Sequence, residues 1–534
     1  MTSPFRSDTP MPGPSLALTF AEVEQTVPDR FESVAREVPD RIALRGNGRS
    51  FTYRELNTAA NRIAHSIVRL TPTGPGRVAY LAGQSPEMVL AALAILKAGK
   101  TYVAVHPKMP AAARRAVLRD VRPDLLLATK SLATIAAEDA AGVCGVLTLD
   151  RVEPDASVEN PARSVTPRDP STLFYTSGST GQSKGVVKSH RAVMHRVWLS
   201  AQHDGIRVGD RQSLLTHCSF SASESDMFGA LLQGATVCTF DPAAHDFFEF
   251  RRWLEDEQIT LLHPPVLYFR RFLSTLEADA AFPHVRLVAL AGDVVLPSDL
   301  QAWARHSSAH SAVLHRFSIT ETALLSVSRF ERDRILDGIA LEAGRPVAGK
   351  TLRLVDADGH PVAVGEAGEL LVESDYLADG YWNRPEETEA AFSLDPATGR
   401  RTYRTGDVGR FTPEGNFVFL GRRDDQVKIR GYRVELREVE SVLAQLHGVR
   451  EAACIAIREP AGEQRIHAYV VWHGPPNSTA TIRARLRDTL PDWKMPAEFH
   501  SVDALPSTWT GKINRRLLGT QTDETEPQDR QRTD

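Results

Sequence analysis

Cysteine is scarce in this chain: Cys144, Cys218, Cys238 and Cys454 are its only four in 534 residues, far apart and without a CxxC pair. They support neither a disulfide framework nor a cysteine zinc site, and the pattern is that of a reduced, intracellular protein. Long apolar runs are missing as well. No stretch carries the roughly 18 consecutive apolar residues of a membrane span, and the opening MTSPFRSDTPMPGP lacks the apolar centre of a secretory signal. Neither sign of charge dominates: 63 Lys and Arg stand against 67 Asp and Glu, a formal net charge of −4. A nucleic-acid partner or an anionic membrane surface is therefore not expected. At 42% hydrophobic and 24% charged residues, the composition excludes disordered and fibrous classes. The length exceeds a single core and predicts roughly two to four domains. A cytoplasmic enzyme is the expectation.

What is present is an alternation of strands and helices. Residues 1–20 are rich in Pro and Ser and read as a flexible lead-in. Arg77–Leu81 reads as a strand and Pro86–Ala98 as a helix, with Ser85 as N-cap, Pro86 at the first helical position and Gly99 at C′. Thr101–Val105 completes a βαβ unit. Apolar strands recur at Ser171–Tyr175, Ile259–His263 and Leu287–Ala291, so the chain from 21 to 420 is read as a large α/β domain. A polar joint, Gly421 to Gln426, separates it from a small α+β unit over 427–518, with helices at Leu436–Leu446 and Thr481–Leu490 and strands at Ala452–Ile457 and His467–Trp472. The charged tail, 519–534, is expected to be disordered.

The strand Ser171–Tyr175 runs into a loop that carries chemistry: Thr176, Ser177, Gly178, Ser179, Thr180, Gly181, Gln182, Ser183, Lys184. Two glycines let several backbone N–H groups converge, the hydroxyls of Thr176, Ser177, Ser179 and Thr180 add donors, and Lys184 adds a cation. That lining suits a polyphosphate. A flexible surface linker is the plainer alternative, but such linkers rarely follow a buried strand directly. The loop is not that of the nucleotide-hydrolysing motors, in which a hydroxyl follows the lysine to hold magnesium; here Gly185 follows.

YTSGSTGQSKGVVKSH resembles the phosphate-loop signature of the adenylate-forming superfamily, which contains acyl-CoA synthetases, luciferases and nonribosomal peptide synthetase adenylation domains. The resemblance runs in order from Phe51 to Leu518, through FTYRELN, LKAGKTYVAVHP, FSITET, YRTGD, GRRDDQVKIRGYRVE and LPSTWTGKINRRLL. It implies a large α/β N-terminal domain with sheets flanked by helices and a β-rich subdomain, hinged to a small α+β C-terminal domain. By the same match, Phe317 would stack on adenine, Thr320 would contact the adenylate phosphate and Glu321 would bind Mg²⁺. Asp407 would hold both ribose hydroxyls, Arg422 would add a ribose contact and Asp424 would be the hinge pivot. Lys512 stands where the family places its catalytic lysine, next to the substrate carboxylate and the α-phosphate. Alone, Asp407 reads as a turn residue and Lys512 as a solvated surface lysine; the ordered set of motifs gives them these roles.

The implied reaction is attack of a carboxylate on the α-phosphorus of ATP, release of pyrophosphate, then rotation of the small domain about Asp424 and transfer of the acyl group to a thiol. Adenylation domains that select α-amino acids carry an aspartate just after a phenylalanine, where it pairs with the ammonium group. Ser221 follows Phe220 here, so that charge-assisted contact is missing. Residue-wise matching gives the remaining pocket as Ala222, Ser225, Leu262, Ala289, Ala291, Arg316, Leu324 and Leu325, small or apolar except for Arg316. Arg316 could pair with a second carboxylate, turn outward or meet a nucleotide phosphate. Glu224 or Asp226 could hold a displaced amine or serve helix packing. The substrate is read as an acid without a conventionally held α-ammonium group.

No carrier-protein serine motif follows Lys512, and little chain precedes the first motif. The expectation is a free-standing enzyme whose thiol, the phosphopantetheine arm of a carrier protein, comes in trans. Coenzyme A is the alternative acceptor. A catalytically silent nucleotide-binding paralogue, the rival of another class, would be expected to lack Lys512, Glu321 or Asp407, and all three are present.

Overall fold

The computed structural model describes residues 16–176, 183–293, 295–336, 342–396, 398–422, 426–459, 462–506, 513 and 515–518. The helix Pro86–Lys97 starts at Ser85 with proline in its first turn, and Gly99 follows with φ +72°. Every residue in it except Glu87 is buried. A helix apolar on all sides needs partners on all sides. It finds them in a core shared by two sheets.

One sheet has seven strands, ordered Gly380–Tyr381, Lys184–Ser189, Pro170–Thr176, Thr101–Val105, Arg77–Leu81, Leu125–Ala128 and Gly145–Thr148. Its centre is the predicted βαβ unit, with Arg77–Leu81 and Thr101–Val105 parallel and adjacent. The other sheet has nine strands, including Leu287–Ala291, Ala312–Ile319 and Ala323–Glu331. The helices His190–Asp204 and Ser223–Leu231 lie between the two sheets and are buried along most of their length. A third, antiparallel sheet is built from Thr351–Val355, Gly368–Glu373, Phe392–Leu394, Arg401–Phe411 and Phe417–Arg422.

The smaller C-terminal α+β domain has its own core around Val434, Val439, Ile466 and Leu486. The hairpin of Gln426–Ile429 and Tyr432–Glu435 turns through Arg430 and Gly431 at φ +51° and +82°. Two central residues at positive φ make a turn whose twist matches the strands it joins. The helix expected from Thr481 begins at Thr479, because Ser478 accepts a hydrogen bond from the Thr481 amide and so caps it earlier.

Two stretches differ from expectation for clear reasons. The predicted strand Ile259–His263 shrinks to Leu261–Leu262. The Ile259 amide is used by Leu254 of the preceding helix, and Pro264 and Pro265 have no amide to offer a ladder. Residues 16–20 pack instead of hanging free: Leu18 is buried and the Phe20 ring meets Trp198 edge-on at 4.9 Å. The rest of the expected lead-in and the expected tail lie outside the described residues.

Lys350 is buried between Arg196 and Lys188, and its amine has no hydrogen-bond partner among the described residues. Burial, reinforced by those two cations, lowers it from the ordinary 10.5 to about 7. Between those values the unfolded chain holds a proton that the folded chain does not, so this lysine makes stability rise with pH across that window. Lys350→Met is expected to raise stability at pH 7 by about 1–4 kcal/mol and to flatten that rise. Denaturant melts at pH 7 and 9 measure both effects, and an unchanged pH slope would show that Lys350 stays charged.

Candidate active site

Thr176 and Lys184 are cross-strand partners, so the strands that bracket the phosphate-type loop form an antiparallel hairpin. Ser177, Gly178, Ser179, Thr180 and Gly181 lie outside the described residues, as do Asp424 and Lys512. Gly185 follows because the hairpin is crowded there: a Cβ would lie 2.7 Å from Leu173 and 3.2 Å from Trp382. The Lys184 ammonium sits 4.1 Å over the Tyr381 ring and 3.8 Å from the Glu387 carboxylate. The Tyr381 hydroxyl donates in turn to Glu321 at 2.9 Å. Glu321 is fully buried, and its carboxylate is the hard oxygen donor that a Mg²⁺ ion takes.

Beside this group opens a cleft with a cavity volume of about 210 Å³. Thr176, Ser221, Ala222, Thr320 and Asp407 line it from the large domain, and Lys428, Tyr432 and Trp493 from the small one. Ser221 donates to the Thr320 hydroxyl oxygen at 3.3 Å. Asp407 faces Arg422 across paired strands, and the Asp407 amide donates to Thr405 at 2.9 Å. The mouth is aromatic. Tyr432 stacks on Trp493 at 4.8 Å and meets Phe220 at 4.9 Å, and His106 lies 5.9 Å from Trp493. Burial, with His217 and Lys108 nearby, pushes the His106 imidazole down to about 2, so it joins this mouth uncharged at neutral pH. Phe317 does not line the cleft. Its ring packs against Phe417 and Phe419 at 5.3 and 5.7 Å, and the Lys428 ammonium lies 5.7 Å from its centre.

Behind Ala222 lies a second, smaller chamber with a cavity volume of about 70 Å³, sharing Arg196, Ala222 and Ser318 with the cleft. Ser225, Ala289, Ala291, Arg316 and Leu324 line it as matched from sequence. Leu262 and Leu325 do not: both pack into hydrophobic cores. Side chains of successive strand residues point to opposite faces, so the neighbours His263 and Leu324 take the chamber side. Arg316 turns inward and forms a buried ion pair with Asp204. Glu224 is held by Lys188 at 2.8 Å and Thr172 at 3.1 Å, and Asp226 by His263 at 2.5 Å. Neither carboxylate waits unpaired for an amine.

Two family models match the chain, AMP-binding enzyme over residues 31–382 and AMP-binding enzyme C-terminal domain over residues 438–512. The chain belongs to the AMP-binding enzyme family. It is 34% identical over 500 residues to tyrocidine synthase 2 of Brevibacillus parabrevis, covering 93% of this chain and 14% of that protein. With malpinin synthetase of Mortierella alpina the identity is 32% over 514 residues, covering 91% and 6%. The chain thus spans less than a fifth of the length of these curated relatives. Among solved structures, an artificially fused adenylation–PCP di-domain from Klebsiella oxytoca superposes with a TM-score of 0.79 at 26% identity, covering 89% of this chain and 93% of that one. The o-succinylbenzoate CoA synthetase of Bacillus subtilis shares the fold, with a TM-score of 0.83 at 23% identity, covering 93% and 99%.

In this AMP-binding enzyme, sequence reasoning passed over Arg196, His263 and the stacked pair Tyr432–Trp493. Arg196 sits amid apolar residues on His190–Asp204, and a charged residue there was the available signal. His263 is one residue from a matched position, and Pro264 after it marks the end of the strand. The pairing of Tyr432 with Trp493 joins residues 61 positions apart, which local pattern does not reveal. No described helix is long and apolar enough to cross a membrane. Tyr381→Phe would deprive the buried Glu321 of a donor and is expected to cost about 1–3 kcal/mol of stability. Chemical denaturation reads this directly, and an unmoved midpoint would show the phenol hydroxyl to be idle.

Proposed function

We propose that this chain activates a small carboxylic acid with ATP as an acyl adenylate, releases pyrophosphate, and passes the acyl group to the phosphopantetheine thiol of a carrier protein in trans. The observation that carries the reading is convergence: Thr176, Thr320 and Asp407 come from three different sheet regions and line one cleft. Family membership carries the ATP-dependent adenylation, and the likeness to an adenylation–PCP di-domain at 26% identity supports the carrier thiol, the CoA synthetase at 23% identity showing the fold alone.

In this reading the hydroxyls and Lys184 of the 176–184 loop hold the β- and γ-phosphates, Thr320 contacts the α-phosphate, and Asp407 and Arg422 hold the ribose. Mg²⁺ at Glu321 neutralises phosphate charge when bound. Lys512 draws the carboxylate and the α-phosphate together, offsetting the repulsion between two anions. A carboxylate oxygen bonds to the α-phosphorus as the bond to pyrophosphate breaks. In the second half-reaction the thiol sulfur attacks the acyl carbon, a C–S bond forms and AMP leaves. Ser221 leaves no anion beside the carboxylate for an α-ammonium group.

The small domain supports a two-position cycle. In this structure its hairpin covers the cleft, the Gly431 amide donating to Asp293 at 3.0 Å and Tyr432 resting against Phe220. This arrangement fits the thiol-accepting half of the cycle, with Asp424 as pivot. Lys512→Ala is expected to abolish acid-dependent pyrophosphate exchange while largely sparing thioester formation from supplied acyl adenylate. Equal loss of both half-reactions would sink this division.

Gly431→Val should do the reverse, because a β-branched residue is strained at φ +82°. Transfer to the thiol is expected to fall about tenfold or more with pyrophosphate exchange within about threefold of normal. Assays with a phosphopantetheinylated carrier and with coenzyme A in parallel report both transfer and acceptor; acceptance of coenzyme A alone would refute the carrier.

A further inference from the structure

The second chamber holds an arginine that the protein itself leaves largely unsatisfied. Arg196 is 6% exposed and lines both the cleft and the chamber behind Ala222. One of its N–H groups, on Nε, donates to the Ser225 hydroxyl at 2.6 Å. The nearest carboxylate oxygen, on Glu224, is 3.7 Å from Nη1 and is already bonded to Lys188 at 2.8 Å. A guanidinium carries five N–H donors, and the remaining ones on Arg196 meet no hydrogen-bond acceptor among the described residues. Neither Nη is sealed in the protein; they open onto the cleft and the chamber, where water or a bound group meets them.

The other charged groups around the chamber are committed elsewhere. Arg316 is paired with Asp204, and Asp226 with His263. The polar atoms they leave over, His263 Nε2, Arg316 Nε and Asp204 Oδ2, are buried without hydrogen-bond partners among the described residues, His263 Nε2 lying 3.9 Å from Asp204 Oδ2. Ala222, Ala289 and Ala291 keep the walls short, so the chamber has room for one compact polar group and little else. Hydrocarbon placed there would strip water from a guanidinium and give it nothing in return, a costly exchange.

We infer that Arg196 is a specificity-determining residue, and that the acid this enzyme activates carries an acceptor group, a carboxylate or carboxamide, at its far end. The inference rests on the adenylation reading and names its substrate class. Polarity in this pocket has moved from the place beside the reacting carboxylate, where Ser221 is neutral, to the opposite end.

The test is acid-dependent pyrophosphate exchange with chain-matched acids of three to seven carbons, ending in methyl, carboxylate or carboxamide. Acids with a terminal acceptor are expected to exceed their methyl counterparts by about tenfold or more in kcat/KM, the scale of a hydrogen bond to a buried charge. Arg196→Met should shrink that ratio to within about threefold, mainly through KM, and Arg196→Lys should restore part of it. Methyl-ended acids exchanged as well as their polar counterparts would overturn the inference and leave adenylation standing. So would Arg196→Met lowering every acid in proportion, since that marks a residue that only supports the fold. Silence across the panel would count against the adenylation reading, and this one with it. The wild-type ratio decides the matter even where the methionine variant does not fold.

Discussion

Glu224 has no exposed surface, and a carboxylate in that position must be met by donors or be neutralised. Lys188 and Thr172 meet it. Those two residues lie on the two strands that bracket the 176–184 loop, whereas Glu224 lies on the helix that follows Ser221 and lines the acid pocket. One buried cluster therefore ties the hairpin of the phosphate-type loop to the wall of the second chamber. Buried pairs of this kind contribute little net stability, but losing one partner costs about 3–5 kcal/mol. The constraint holds the two halves of the site in register, and Arg196 of the helix His190–Asp204 lies 3.7 Å from the same carboxylate.

The contacts between the domains are of another kind. Gly431 bonds Asp293, Arg271 reaches Glu463 at 3.2 Å, and an aromatic mouth is made of Phe220, Tyr432 and Trp493. Arg271 and Asp293 belong to the large domain and keep partly solvated positions. Polar, partly exposed contacts with a small aromatic patch resemble a transient interface more than a core. A rigid large domain and a reversibly seated small one are what the proposed two-step cycle needs.

Much of this could be read from residues in order. The helix Pro86–Lys97 announces itself by its cap, its proline and its following glycine, and the central βαβ unit by apolar runs on either side. The motifs with Thr176, Ser221, Thr320 and Asp407 pointed to residues that line one cleft. What stayed illegible depends on facing. Leu262 closes a two-residue strand and His263 follows it directly, and only the alternation of side-chain direction decides which of them turns to the chamber. Asp204 and Arg316 are 112 positions apart, so their pairing is a property of the folded sheet and no local pattern carries it. The same holds for residues 16–20, whose composition suggests looseness while Leu18 is drawn into the core.

The pocket's charge logic links two positions that sequence kept separate. An anion beside the reacting carboxylate selects a cationic neighbour on the substrate; Ser221 removes it. A buried guanidinium at the far end selects an acceptor, and Arg196 supplies it. Each feature alone is compatible with several acids. Together they disfavour a substrate whose second charge is positive and near, and favour one whose second polar group is an acceptor and distant, because the field of a poorly compensated buried cation is only weakly screened at such depth. His263 and Arg316, each tied to a carboxylate, then shape the chamber without cancelling that field. The selectivity of this enzyme is thus set less by the matched lining residues, most of them small, than by one arginine on a helix behind them.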